Sequence, residues 1–156
     1  MRKSIFLILQ NIRSLYNVGA IFRSADAFGI QKIYLCGITA YPPKRQMQKI
    51  SKTALGAEKS VSWEYHKQTA TLVKKLKKDG VEIVVLEVGA KSTFRLPDYK
   101  PKSHVAIIVG NEKTGITKPI LKLADIIVFI PMRGQKESLN VAIAASIAMY
   151  ELSNKP

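Results

Sequence analysis

The sequence predicts an α/β protein: a mostly parallel sheet with helices on both faces. Three observations predict it. Short runs of β-branched and other apolar residues recur without polar alternation, the pattern of strands buried on both faces. Segments with helical apolar spacing separate most of these runs, and such alternation gives layered α/β folds. A chain of 156 residues is long enough to bury one core of this kind, so residues 1–156 read as a single domain.

The elements follow in order. The opening MRKSIFLILQ joins a basic tip to an apolar run too short to span a bilayer. It lacks a small-residue cleavage site and runs into polar NIRS, so residues 5–9 read as a first strand rather than a signal peptide. Residues 18–28 read as a helix. Asn17 is a good N-cap for it, and Val18, Ile21, Phe22, Ala25 and Phe28 make one apolar stripe. A second strand is predicted over 32–36, a helix over 45–55 and a third strand over 61–65. In the helix predicted over 69–78, Leu72, Val73 and Leu76 face inward and Lys74, Lys75, Lys77 and Lys78 form a solvated face. Strands over 82–87 and 105–109, a short helix over 118–123 and a strand over 126–130 complete the alternation.

The last helix, predicted over 141–152, is apolar nearly all round through Val141, Ile143, Ala144, Ile147, Ala148 and Met149. Such a helix must bury more than one side, and a small domain achieves this by forming a homodimer through it. Ala148 and Met149 are expected among the partner-facing positions. No internal repeat, low-complexity tract, linker or separate extension is read in the chain.

Composition narrows the partners. The chain has 25 basic and 11 acidic residues, a net charge of +14, which points to a polyanion and most simply to nucleic acid. Cys36 is the only cysteine, so no internal disulfide forms and a reducing cytoplasm is expected. No G-x-G-x-x-G follows a strand and no G-x-x-x-x-G-K-[ST] occurs, which argues against a Rossmann dinucleotide site and a P-loop. His66 and His104 are isolated and make no ligand spacing with Cys36, so neither a metal nor a membrane is an expected partner.

Three stretches carry the chemistry. The first is NVGAIFRSADAFG over 17–29, where Arg23 stands inside an apolar helix with Asp26 beyond it. An N-capping Asn17 and a helical Arg23–Asp26 pair would account for it structurally. The second is IVGNEKTGI over 108–116, in which glycines bracket a polar loop and let the backbone turn sharply near a ligand. An ordinary turn with Glu112 paired to Lys113 or Lys118 would also fit. The third is IPMRGQKESLNVAIAASIAMYEL over 130–152, where Ser138 or Asn140 caps the last helix. Loops 86–89, 110–115 and 130–140 follow three buried strands, where open α/β sheets bind ligands.

Taken in order, the three stretches resemble the three motifs of the SpoU (TrmH) family of the SPOUT superfamily, the knotted RNA 2′-O-ribose methyltransferases. The likeness covers nearly the whole chain from Asn11 to Leu152. It implies a deep C-terminal trefoil knot, which composition alone would never suggest. It implies S-adenosylmethionine as cofactor and a ribose 2′-hydroxyl of tRNA or rRNA as acceptor. Arg23 matches the family's catalytic arginine, acting either as base, with help from a substrate phosphate, or by orienting and stabilising the alkoxide. Asn17, Glu112, Ser138 and Asn140 complete the catalytic set, with Glu112 as a conformational anchor. Leu86, Val88, Gly89, Gly110, Asn111, Gly115, Ile130, Met132, Ser138 and Leu139 are expected at the cofactor. Arg23, Lys44, Arg45 and Lys49 are expected at the RNA. A base methyltransferase of the same superfamily and a non-catalytic RNA-binding relative are the alternatives. The motif arginine and the Ser138-Leu139-Asn140 run argue against the first, and the intact polar set against the second.

Overall fold

A computed structural model describes residues 2–42, 47–89 and 93–156. In chain order the elements are β1 (Ile5–Gln10), α1 (Leu15–Phe28), β2 (Lys32–Cys36), α2 (Met47–Ala54), α3 (Ala57–Ser60) and β3 (Trp63–His66). There follow α4 (Thr69–Lys78), β4 (Glu82–Leu86), β5 (Thr93–Arg95), a 3-10 turn (Leu96–Asp98), β6 (Val105–Val109), α5 (Lys118–Leu123), β7 (Ile126–Phe129) and α6 (Val141–Ser153). The strands form one sheet in the order β3-β2-β1-β6-β4-β7-β5, and each neighbouring pair is parallel.

Strand composition explains the order. Every residue of β6 is buried, and β6 sits between β1 and β4 near the middle of the sheet. Side chains alternate across a strand. Leu7, Leu9, Ile33, Leu35, Ile107 and Val109 therefore pack with α1, α2, α3 and α6 on one face. Ile8, Tyr34, Cys36, Ile83, Val85, Ala106 and Ile108 pack with α4 and α5 on the other. Fully burying one such aliphatic side chain contributes about 1.5–3 kcal/mol. Burial also pushes the Cys36 thiol up to about 12, against a hydrogen bond from Thr69, so this cysteine is a small core residue without nucleophilic character.

The chain departs from expectation at several ends. Helix α1 begins at Leu15, and its cap is Ser14 rather than Asn17: the Ser14 hydroxyl accepts from the Asn17 amide at 3.2 Å. Gly29 closes the helix in the left-handed region at φ 68°, the usual glycine stop. Strand β3 begins two residues later and ends one later than predicted, at Trp63–His66 instead of 61–65, and α6 runs to Ser153. The first residues of the predicted 45–55 helix fall outside the described residues. Neither α3 nor β5 was predicted; each is shorter than a periodic pattern can reveal, and β5 pairs only with β7 at the sheet edge.

Two close contacts fix the outer helices. At Gly19 a Cβ would lie 2.1 Å from Thr53 Oγ1 and 2.2 Å from the Ile50 carbonyl, so α1 and α2 touch at backbone distance. Helix α6 buries Ala142, Ala145, Ala148, Met149 and Leu152, and its Ser146 hydroxyl meets that of Ser24 on α1 at 2.7 Å. Ala148 and Met149 thus point into their own chain, contrary to expectation. Because small residues fill the inward side, the opposite side is left carrying Ile143, Ile147 and Tyr150, 53%, 38% and 57% exposed.

Candidate active site

The loops after β4, β6 and β7 enclose a cavity of about 480 Å³, within the range of small-molecule sites. Leu86, Val88, Gly110, Asn111, Glu112, Gly115, Ile130, Met132, Ser138, Leu139 and Asn140 line it, all expected from sequence. Gly89, Asn17, Arg23 and Lys49 do not line it. Glu87 and Lys113, inside the predicted loops 86–89 and 110–115 but not singled out, also line it. Phe129 at the end of β7 and Ala144 on α6 lie outside those loops and were missed.

The loop after β6 is built by its own residues. The Asn111 side-chain oxygen accepts from the amides of Lys113 at 2.9 Å and Thr114 at 3.0 Å, and the Asn111 carbonyl accepts from Gly115 at 2.9 Å. The Asn111 amide nitrogen donates to the Asn11 carbonyl at 2.8 Å, so this side chain holds the loop and ties it to the end of β1. The glycines serve the same purpose. A Cβ on Gly110 would lie 2.6 Å from the Gly115 carbonyl carbon, and one on Gly115, at φ 70°, would lie 2.7 Å from Glu87 Oε2. That Glu87 oxygen accepts from the Ile116 amide at 2.8 Å.

Glu112 reaches across to the start of α1. Its carboxylate accepts from the amides of Arg13 at 3.3 Å and Ser14 at 3.2 Å, and not from Lys113 or Lys118. A helix N-terminus offers free N–H groups and partial positive charge, which suits a carboxylate. Partial burial works against the charged form. Its own amide, those of Ser14 and Arg13 and the Asn17 side chain outweigh that and hold the Glu112 carboxyl below its ordinary value.

The third loop closes the circuit. Asn140 caps α6, its oxygen accepting from Ala142 at 2.9 Å and Ile143 at 3.3 Å, while its nitrogen donates to the Asn17 side-chain oxygen at 3.3 Å. Glu112 thus bonds the backbone just ahead of Asn17 while Asn140 bonds Asn17 itself, so hydrogen bonds at this helix end join all three sequence motifs. Ser138 lies exposed at the cavity. Arg23 stands apart. It is exposed on α1, on the stripe of Tyr16, Ala20 and Ala27, and it has no ion pair among the described residues. Asp26 accepts instead from the Ser60 hydroxyl at 2.9 Å. Lys49 is exposed on α2; Lys44 and Arg45 lie outside the described residues.

Comparison with known proteins agrees with this layout. The profile of the SpoU rRNA Methylase family matches residues 4–150. The chain belongs to that family. Among SpoU relatives, the tRNA (guanosine(18)-2′-O)-methyltransferase of Escherichia coli K12 is 33% identical over 144 residues, covering 92% of this chain and 60% of that protein. The SpoU fold is likewise shared with solved structures. The A. aeolicus TrmH/SpoU tRNA modifying enzyme superposes with a TM-score of 0.85 at 26% identity, over 99% of this chain and 76% of that one. AviRb of Streptomyces viridochromogenes, solved with AdoMet, gives 0.85 at 24% identity, over 98% and 60%. The chain thus spans about 60% of the length of the first curated relative. Among the described residues, no group of His, Cys, Asp and Glu could hold a metal, and no helix is long and apolar enough to cross a membrane.

Proposed function

We propose that this chain is an S-adenosylmethionine-dependent methyltransferase acting on a ribose 2′-hydroxyl of tRNA or rRNA, as a cytoplasmic homodimer. The observation that carries this reading is the convergence of Glu112 and Asn140 on the start of α1, at Ser14 and Asn17, beside the strand-end cavity. The cavity fits the cofactor by its chemistry. Leu86, Ile130, Met132 and Leu139 offer an apolar slot for an adenine, and Glu87, Glu112 and Ser138 offer acceptors for ribose hydroxyls and an ammonium group.

The cofactor supplies an electrophilic methyl group; the chain supplies position and electrostatics. Asn17, held by Asn140 and Ser14, fixes the cavity rim, and Ser138 and Asn140 line the place where the acceptor oxygen arrives. Arg23 orients that hydroxyl and stabilises the alkoxide as it forms, a role suited to a planar fork of donors. It lies beside the outward apolar face of α6, since Ser24 bonds Ser146 and Phe28 packs edge-on against Tyr150 at 5.6 Å. A second copy docked on that face would cover Ile143, Ile147 and Tyr150 and bring Arg23 to the neighbouring cavity. The trefoil knot belongs to the same reading, supported by the SpoU family match and the convergence of its three loops.

The test is transfer of a tritiated methyl group from S-adenosylmethionine to unfractionated tRNA and rRNA, with the product digested to nucleosides. A 2′-O-methylnucleoside is expected. A base-methylated product would favour the wider superfamily's base chemistry, and absence of cofactor binding by calorimetry would favour a non-catalytic RNA-binding protein.

A further inference from the structure

Beyond the cavity, the C-terminal edge of the sheet carries an aromatic stack that the cofactor site does not use. Tyr41 lies over Tyr65, with ring centroids 4.4 Å apart, and near Trp63 at 6.2 Å, both at shallow tilts. Trp63 and Tyr65 are half-buried on one face of β3, while Tyr41 keeps 39% of its surface exposed and neighbouring Ile38 keeps 61%. Tyr41 lies in a loop, yet the loop is bolted down. The Tyr65 hydroxyl donates to the Gly37 carbonyl at 2.7 Å, and buried Thr39 donates to the Leu9 carbonyl at 2.9 Å while accepting from the Ile12 amide at 3.0 Å. Asn11, in the left-handed region at φ 57°, accepts from the Ile38 amide at 3.1 Å through its side chain. Its carbonyl is the one that receives Asn111 of the cavity loop.

We infer that Tyr41, backed by Trp63 and Tyr65, is a stacking platform for an unpaired base of the RNA substrate. This rests on the reading of the chain as an RNA-modifying enzyme. Three observations select a nucleobase as the occupant. An open ring backed by other rings presents a rigid π-face, which any base can stack on. The surroundings are basic: the chain carries +14, and Arg13 and Lys67 are exposed at the two ends of this edge. The platform is also continuous with the active site, because Asn11 joins both loops. Strand β3 lies three strand spacings from β6, about 14 Å, so a single strand can be held at the ring while a nearby nucleotide enters the cavity.

Titration of a labelled short single-stranded RNA, and of the same backbone carrying abasic positions, tests this. Tyr41→Ala and Tyr41→Leu should weaken binding of intact RNA by about five- to a hundredfold. Tyr41→Phe should keep wild-type affinity. Abasic RNA should bind wild type no better than intact RNA binds Tyr41→Leu. The salt dependence should keep its slope, since no phosphate contact is lost, and affinity for S-adenosylhomocysteine should not change. Trp63 is the only tryptophan, so its emission should respond to intact RNA and not to the abasic form. If wild type methylates RNA and Tyr41→Leu binds intact RNA as tightly, the platform is overturned and the methyltransferase reading stands; the same holds if the ring proves to be covered by a protein. If wild type neither binds nor methylates RNA, the functional reading falls with it.

Discussion

Asn17 and Arg23 share one helix and have opposite surroundings. Asn17 sits at the first turn of α1 and is engaged from both ends, its amide by Ser14 and its side chain by Asn140. Arg23 projects from the same helix into solvent, next in the chain to Ser24, which bonds Ser146 of α6. The difference teaches that one chain builds the cavity and its rim but presents its arginine outward. On the proposed reading, the site has a half fixed by intrachain hydrogen bonds and a half that depends on association.

The largest effect expected from this contrast is at Arg23. Arg23→Ala should lower single-turnover methyl transfer by about 10²–10⁴-fold, with S-adenosylhomocysteine affinity unchanged by calorimetry. Arg23→Lys should rescue little, because a lysine loses the planar fork. A near-normal rate in a folded Arg23→Ala dimer would reduce Arg23 to a surface residue. Ile147→Glu tests the association half. It should give a monomer by light scattering and lose transfer with it, while cofactor binding persists. A wild-type monomer at micromolar concentration would break the comparison at its root.

The intrachain half should respond in stability rather than in assembly. Asn140→Ala removes the α6 cap and the link to Asn17, and should cost about 0.5–2 kcal/mol in urea unfolding. The smallest effect is that of acid on Glu112. Its folded carboxyl is held below the unfolded value, so its contribution is present above about pH 4.3 and lost as pH falls through the folded value. Glu112→Gln should therefore be less stable at neutral pH and should narrow its gap to wild type in acid. A gap that stays constant with pH would mean that the Arg13 and Ser14 amides gain nothing from the charge.

Much of this architecture was readable from residue patterns. The buried runs of β2 and β6 and the helix of α4 matched their predicted bounds, because an unbroken apolar run or one clear stripe leaves little choice of end. The start of α1 was misplaced because Ser14 and Asn17 are equally good caps by type, and only the bond from the Asn17 amide to the Ser14 hydroxyl decides between them. The strand-end loops located the cavity and took in Glu87, but its bond from the Ile116 amide joins segments 29 residues apart and no local pattern shows it. The orientation of α6 was not readable either. A helix apolar all round gives no phase, and the inward side was chosen by the small residues that let it approach α1.

Gly19 adds a lesson about the motif that contains it. A glycine inside a helix is destabilising by about 1 kcal/mol relative to alanine, yet no side chain fits here, because Thr53 and the Ile50 carbonyl occupy its Cβ position. Its duty is helix crossing, not chemistry. A descendant that kept the fold would still be bound to this glycine whatever became of its chemistry. If Arg23 acts as proposed, then in searching genomes for working copies the glycine reports only ancestry, and the arginine four residues on carries the distinction.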